Sequence, residues 1–306
     1  MIEITSTKLN PNTIPHLHVF GWEIPVYFFL GGISAGLLVI SAIKIMTSEH
    51  AVNNRSVKWA SLLAPVLLNI GMICLLLDLS HKINVWRFYT RFVPTSPMSW
   101  GSWALIIFMP FSALQAMILF KDAIGSLPLV PTIIQLTEKH LKKIAAINVF
   151  MGTFIGIYTG ILFSSLFARP LWASPILGVL FLFSGLSAGA ALMLIIAEKE
   201  DKHVFSKIDM QLIMVEAVII CLFIIGALMG TASGRDAMMF LISGPYAIWF
   251  WVVTILGGIL IPIVFEALEV AGKFKYSVFV PLLVLVGSLS LRFVLVYAGQ
   301  AVPTIS

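Results

Sequence analysis

Polar side chains that can exchange protons lie at the ends of several long apolar segments of this sequence. Glu23 and Tyr27 are four residues apart, so they share one face of a helix. Asp78 and His81 follow the second apolar segment, and Tyr158 lies in the fourth. Carboxylates and imidazoles relay protons, and tyrosine hydroxyls donate hydrogen bonds to carbonyl oxygens. This combination is suited to a small carbonyl compound that gains or loses protons.

A quinone head is such a compound, and it needs donors to its two carbonyls, a proton relay and aromatic walls. Ser99, Trp100 and Trp103 at the start of the third segment add hydroxyl and aromatic groups, and His18 precedes the first segment. The sequence therefore predicts a quinone site. Its candidate residues are Glu23, Tyr27, Asp78, His81, Ser99, Trp100, Tyr158 and His18.

Structural roles would also explain some of these residues. Trp100 is typical of the aromatic belt at a membrane surface. Tyr27 could serve helix packing alone. An ion pair with Lys82 or Arg87 would explain Asp78 without any function. These alternatives stay open at the level of the sequence.

A second set of charged residues lies in the later apolar segments or at their ends. Charges inside a bilayer usually face a cavity or a partner. Such groups could form a proton path across the membrane or structural clamps between helices, and both interpretations are kept. The residues of this set are Glu216, Arg235, Asp236, Glu266 and Arg292, with Arg235 and Asp236 placed at the end of the sixth helix.

The sequence offers no set of ligands for a redox centre. Haem b needs axial histidines within the spans. All six histidines lie in loops or near helix ends: His16, His18, His50, His81, His140 and His203. Cys74 and Cys221 stand alone within apolar segments. We therefore expect no haem, no iron–sulfur cluster and no metal in this chain, and a quinone would be its substrate.

The composition requires a bilayer around most of the chain. Of the 306 residues, 59% are hydrophobic and 11% are charged, whereas a soluble domain is about 25% charged. A spanning helix needs about 20 apolar residues. We predict an all-α integral membrane protein with eight transmembrane helices. Their predicted positions are 22–46, 58–79, 99–120, 143–167, 172–197, 210–231, 245–268 and 277–299.

The basic residues predict the orientation. Twelve Lys and Arg residues belong to the loops after helices one, three, five and seven, and six belong to the opposite face. The positive-inside rule places the richer face in the cytoplasm, so both termini are predicted outside. The same distribution explains the pI of about 9.2 without a nucleic-acid partner.

Two copies of a small-residue motif indicate an internal repeat. Gly-Ile-Ser-Ala-Gly at 32–36 lies in the first helix, and Gly-Leu-Ser-Ala-Gly at 185–189 lies in the fifth. Four helices per half would give parallel repeats, although chance enrichment of small residues would produce the same match. We predict an outer segment 1–21 and two four-helix bundles, 22–168 with the quinone site and 169–306.

Three stretches carry a recognisable pattern. They are Trp-Glu-Ile-Pro-Val-Tyr-Phe-Phe-Leu-Gly-Gly-Ile-Ser-Ala-Gly at 22–36, Asp78-Leu79 with Ser-Pro-Met-Ser-Trp-Gly-Ser-Trp at 96–103, and Tyr158-Thr159-Gly160 with Leu291-Arg292 and Tyr297-Ala298-Gly299-Gln300. Together they span nearly the whole chain and resemble the NrfD/PsrC family, the membrane subunits of polysulfide-reductase-like complexes. The family's Asp-Leu-Gly-Arg after helix two is Asp-Leu-Ser-His here.

The resemblance implies eight helices in two bundles, no haem, and turnover of menaquinone or ubiquinone near the outer face. It implies electron exchange with a ferredoxin-like subunit of four iron–sulfur clusters. That partner would contact a molybdenum or tungsten catalytic subunit, a multihaem cytochrome or a hydrogenase. The positions that match the family's pattern place the quinone site around Glu23, Tyr27, Asp78 and Tyr158. Proton movement would involve Glu216, Glu266 and Arg292. The implied location is the cytoplasmic membrane of a bacterium or archaeon.

The favoured interpretation is a quinone-reactive membrane anchor of a respiratory oxidoreductase. The repeats and buried charges would also suit a secondary transporter, but paired helices broken by Gly or Pro at matched places are not found. A passive anchor without quinone chemistry is the third interpretation. In each case the lipid bilayer surrounds the protein.

Overall fold

Helices form all the regular secondary structure that the computed structural model describes, which covers residues 20–79, 81–124, 130–165 and 169–302. Within these ranges, eight helices are long and apolar enough to cross a membrane. This confirms the predicted all-α fold with eight transmembrane helices. His18, one of the candidate site residues, lies outside the described residues.

The α-helices are numbered here in chain order. They are α1 (Glu23–Thr47), α2 (Arg55–Asp78), α3 (Trp86–Thr90), α4 (Pro97–Leu119), α5 (Lys121–Ile124), α6 (Val130–Thr137), α7 (Leu141–Ser164), α8 (Ile176–Ile196), α9 (Lys202–Met229), α10 (Ala232–Ser243), α11 (Ile261–Val270) and α12 (Phe279–Ala301). A π-helix, Trp249–Leu260, runs directly into α11, and together they form the seventh span.

The end of the sixth span differs from the prediction. We predicted 210–231, but α9 begins eight residues earlier and ends at Met229. The Thr231 hydroxyl then accepts a hydrogen bond from the backbone N–H three residues later, which caps a new helix, α10. Arg235 and Asp236, expected at the end of the sixth helix, therefore lie on this separate helix.

Helices α1 and α8 lie at the centre of the structure. Their spanning segments are 78% and 61% buried, compared with 28% for α9. Gly36 of α1 lies against the backbone of Gly185 in α8, and Gly189 lies against the backbone of Gly36. A Cβ at these positions would overlap backbone atoms, so only glycine permits this approach. The two small-residue motifs thus pack on each other, while their origin by duplication stays a prediction.

The spanning helices contact one another in two rings. One ring runs α1, α2, α4, α7 and back to α1, and the other runs α8, α9, the seventh span, α12 and back to α8. Gln115 joins all four helices of the first ring. Its Nε2 donates to Ser41 at 3.1 Å and to Ser61 at 2.8 Å, and its Oε1 accepts from Asn148 at 2.8 Å. This buried network fixes the register of the helices that surround the site.

Candidate functional site

An apolar cavity of about 100 Å³ lies at one end of the first ring, between α1, α2, α4, α7 and the short helix α3. The end is the one where α1 and α4 begin, which the charge distribution predicts to be the outer face. Hydroxyl groups are the main polar features of its wall. The lining residues are Tyr27, Met72, Leu75, Leu76, Leu79, Val85, Phe88, Tyr89, Met98, Gly101, Ser102, Leu105, Tyr158 and Leu162.

Tyr27 and Tyr158, both predicted site residues, meet in this cavity. They are 5% and 6% exposed, and they lie close enough to interact electrostatically. Gly71 and Gly101 leave room for their rings: a Cβ at Gly71 would lie 3.4 Å from the Tyr27 ring, and one at Gly101 would overlap the Tyr158 ring. Two hydroxyls in an apolar wall are suited to bind the carbonyl oxygens of a ring.

Tyr89 is a third tyrosine of the cavity, and the sequence analysis missed it. It lies on α3, which α4 holds in place through a 2.7 Å hydrogen bond from the Ser102 hydroxyl to the Phe88 carbonyl. The Tyr89 phenol is protonated at neutral pH and can donate a hydrogen bond, and burial raises its pKa further. The aromatic residues between Trp86 and Tyr89 were the feature of the sequence that could have indicated this tyrosine.

Asp78 and Glu23 lie together beside the cavity without lining it. Both are partly buried, and the Asp78 carboxylate is close to Glu23 and to the backbone N–H of Gly21. Within the described residues, Asp78 forms no ion pair with Lys82 or Arg87. The structure therefore does not show the ion pair with a basic neighbour that would have explained Asp78 without any function. Two partly exposed carboxyls beside a cavity can pass protons to water.

Three other candidates lie around the cavity rather than in it. His81 is exposed and lines an open depression next to Asp78. The Ser99 hydroxyl accepts a 2.9 Å hydrogen bond from the Val93 N–H and so fixes the preceding loop. Trp100 donates to the Pro94 carbonyl at 2.8 Å and lines a separate lipid-side groove. All three residues are placed where side chains shape the entrance of the cavity.

The second set of charged residues separates into two groups. Arg235 lies on α10 and donates to the Leu228 carbonyl at 3.1 Å, with Asp236 beside it at the surface. Glu216, Glu266 and Arg292 are instead buried in the second ring, at 5%, 0% and 0% exposure. The structure therefore brings together three of the five residues predicted for a proton path.

Arg292 connects the two rings. Its Nε donates to the Phe28 carbonyl of α1 at 3.1 Å, and its Nη1 donates to the Ser184 hydroxyl of α8 at 3.1 Å and to the Ser288 carbonyl at 2.8 Å. The Glu216 carboxyl lies within electrostatic range of the guanidinium and next to Ser184, but among the described residues the two charged groups form no direct ion pair. Hydrogen bonds to carbonyl and hydroxyl oxygens, with a carboxyl group nearby, stabilise a buried Arg in an apolar interior.

Asp209 and Glu269 are further buried acids that the sequence analysis missed. Asp209 is seven residues before Glu216, which places both on one face of α9, and Glu269 follows Glu266 by one helical turn. These helical spacings were the feature of the sequence that could have indicated both acids. Asp209 faces Glu266, and its Oδ1 accepts a 3.0 Å hydrogen bond from Ser187. Among the described residues, no group of three His, Cys, Asp or Glu side chains could hold a metal ion.

Known proteins match the sequence along nearly its full length. The family described as polysulphide reductase, NrfD, matches residues 10–304. The NrfD homolog of Haemophilus influenzae is 29% identical over 95% of this chain and 97% of its own length. A polysulfide reductase chain of Wolinella succinogenes is 29% identical over 92% of this chain and 94% of its own length. A tetrathionate reductase subunit of Salmonella typhimurium is 27% identical over 77% of this chain and 67% of its own length. The chain belongs to the NrfD family.

Proposed function

We propose that this protein is the quinone-reactive membrane subunit of a reductase complex. Relatives named as subunits of polysulfide, tetrathionate and selenate reductases support its place in such a complex. The observation that carries the quinone proposal is the pair of buried tyrosines, Tyr27 and Tyr158, in an apolar cavity. Menaquinone or ubiquinone is the substrate.

In this proposal the tyrosines bind the two quinone carbonyls, and the apolar wall holds the ring and the start of its tail. Oxidation of the quinol releases two protons and two electrons, and reduction of the quinone takes up the same. Asp78 and Glu23 beside the cavity exchange the protons with the outer aqueous phase. Tyr89 supplies a third donor from α3.

The electrons pass between the quinone and a partner protein. We propose a four-cluster, ferredoxin-like iron–sulfur subunit that docks over α3 at the mouth of the cavity. A molybdenum or tungsten subunit, or a multihaem cytochrome, would then be the redox partner of that subunit. The exposed face around α3 carries Ile83 at 88% and Trp86 at 55% exposure, with Arg87 beside them. Exposed apolar residues with a basic rim are typical of a protein interface.

The test is Tyr158→Phe in the purified complex, because it removes a hydroxyl and keeps the ring. We expect quinone binding to weaken by roughly threefold to tenfold, since one hydrogen bond contributes about 0.5–1.5 kcal/mol. Quinol turnover should fall with it. Tyr276→Phe is the matched control, because Tyr276 lies at the other end of the molecule and should leave both unchanged.

Three outcomes separate the proposal from its alternatives. Unchanged quinone binding in both Tyr158→Phe and Asp78→Asn would refute the site. Unchanged quinol turnover in these variants, with loss of the partner subunit when the protein is deleted, would indicate a passive anchor. Uptake of a solute by proteoliposomes that contain this protein alone would indicate a transporter.

A further inference from the structure

The side-chain amide of Gln300 holds the backbone just before the first span. Gln300 lies in the last turn of α12, where its Oε1 accepts a 2.9 Å hydrogen bond from the Phe20 N–H. Its Nε2 donates to the Phe20 carbonyl at 3.1 Å. A carboxamide accepts and donates from separate atoms, which a carboxylate cannot do. These two hydrogen bonds form the Phe20 clamp, which joins the end of the second ring to the chain that enters the first.

Further contacts anchor the Phe20 clamp to the second ring. The Phe20 ring packs on Trp172, with the ring centroids 5.8 Å apart. The Trp172 indole donates to the Leu295 carbonyl of α12 at 2.9 Å. Arg169 donates from Nη1 to the Gln300 carbonyl at 2.9 Å, and so satisfies a backbone acceptor that the end of a helix leaves without a helical partner. Side chains on both sides of the clamp therefore fix its position against α12.

The backbone that the clamp holds leads directly to the acid pair beside the proposed quinone cavity. Gly21 follows Phe20, and a Cβ at Gly21 would overlap the Glu23 carboxyl group. This carboxyl thus lies against the Gly21 backbone. The Gly21 N–H faces the Asp78 carboxyl at the end of α2. The arrangement of both acids consequently depends on where the clamp places residues 20 and 21.

The charged groups around Asp78 come from the first ring and the loop that follows α2. Glu23 lies close to it on α1, and His81 and Lys82 line the open depression next to it. Among the described residues, no basic side chain forms an ion pair with Asp78, and the Gly21 N–H is the donor that faces its carboxyl. A donor directed at a carboxylate favours the ionised form, which is the form that accepts a proton.

We propose that Gln300 of the second ring is a positioning residue for the acid pair of Asp78 and Glu23. It acts through the backbone of residues 20 and 21, so the end of α12 controls the proton affinity of a site in the other ring. The clamp and its effect on Asp78 stand on their own contacts. The exchange of those protons with a quinone rests on the proposed function. The competing explanation is that the clamp only fastens the segment before α1.

Infrared titration of the full-length protein in lipid, without quinone, tests the positioning. The Asp78 signal is the carboxyl band that Asp78→Asn removes. Gln300→Met keeps the length of the side chain and removes both hydrogen bonds to Phe20. We expect the pH at which Asp78 gains its proton to rise by about 0.5–1 unit, a threefold to tenfold change in proton affinity. Gln135→Met, at an exposed position of α6, is the matched control and should leave this pH unchanged.

Two results would overturn the positioning. One is an Asp78 titration that is identical in wild type and Gln300→Met while the melting temperature of the variant falls, because the clamp would then only fasten the chain. The other comes from amide hydrogen exchange of the wild-type protein and needs no variant. The Phe20 N–H should exchange slowly, since Gln300 accepts it. Rapid exchange at Phe20 would show that the clamp does not form, even where Gln300→Met fails to fold.

The consequence for turnover is measured in the purified complex, as the pH dependence of quinol oxidation with an artificial electron acceptor. A proton acceptor must be ionised, so the rate falls on the acid side of the profile. Gln300→Met should move that side to higher pH by the same amount as the Asp78 titration, with quinone affinity at the wild-type value. A profile that stays in place although the Asp78 titration moves would refute Asp78 as the proton acceptor of the proposed function and support the positioning alone.

Discussion

At the scale of single residues, glycines decide the shape of the cavity. Gly101 is one turn into α4, and its missing side chain leaves the space that the Tyr158 ring occupies. The same residue belongs to the Ser-Pro-Met-Ser-Trp-Gly-Ser-Trp run, whose serine and tryptophan side chains fix the preceding loop and line the neighbouring groove. The motif thus serves the site mainly through its glycine and through Ser102, which anchors α3.

Gly101→Ala should displace Tyr158 and abolish tight quinone binding. The added Cβ would overlap the tyrosine ring, and overpacking of this kind costs about 1–3 kcal/mol. Binding is measured by quenching of a fluorescent quinol analogue. Gly226→Ala is the control, because a Cβ there meets only Ile176 at 3.8 Å. Equal quinone affinity in the two variants would show that Tyr158 is not part of the site.

At the scale of helices, the contact between α1 and α8 determines how the two rings fit together. Gly32, Gly36, Gly185 and Gly189 let the two backbones touch. Since a bilayer gives no hydrophobic driving force between helices, close backbone packing is a main source of their association. The Ser34 hydroxyl of the same motif donates to the Ala64 carbonyl at 2.5 Å and ties α1 to α2.

Gly36→Ala should lower the stability of the protein in detergent by about 1–3 kcal/mol, because backbone atoms of Gly185 cannot move away from the added methyl group. The melting temperature of the purified protein is the measurement. Gly31→Ala is the matched control on the same helix, since nothing lies within 4 Å of a Cβ there. A melting temperature that falls equally in both variants would argue against close packing at Gly36.

The seventh span shows how a tertiary contact changes a helix. The sequence predicts an ordinary span at 245–268, whereas the structure begins it as the π-helix Trp249–Leu260. The Thr254 hydroxyl lies 3.4 Å from the carbonyl of Trp249, five residues earlier, and 3.0 Å from Ser290 of α12. Gly258 also touches Gly287 of α12. These contacts favour the wider helix, which is a common feature near functional sites.

At the scale of the whole molecule, the positive-inside rule gives an orientation that can be measured. Thr95→Cys, at the same end of the molecule as the proposed quinone cavity, should react with a membrane-impermeant thiol reagent in intact cells. Glu200→Cys, in the turn before α9, should react only after the membrane is permeabilised. Cys74 and Cys221 lie within spans and serve as the unreactive background. The reverse labelling pattern would invert the orientation and move the proposed quinone site to the cytoplasmic side.

The sequence by itself determined the helical, membrane-spanning character of the chain and the number of spans. These properties depend on local quantities: the length of apolar segments, the position of charges at their ends, and spacings such as that of Glu23 and Tyr27. The resemblance to the NrfD/PsrC family implied that Tyr27 and Tyr158 belong to one site; the structure brings both into one cavity, and quinone binding there stays a prediction. The close packing of small residues in α1 and α8 was likewise visible as a motif.

Only the tertiary structure decided which polar groups meet. Tyr89 reaches the cavity because α3 folds back under α4, and no spacing in a loop encodes that contact. Arg235 and Asp236 are not among the buried charged residues, because a capped turn starts the separate helix α10. Asp209 is among them, because α9 and α11 are neighbours. Contacts between helices far apart in the sequence depend on packing of whole surfaces, which helical periodicity does not specify.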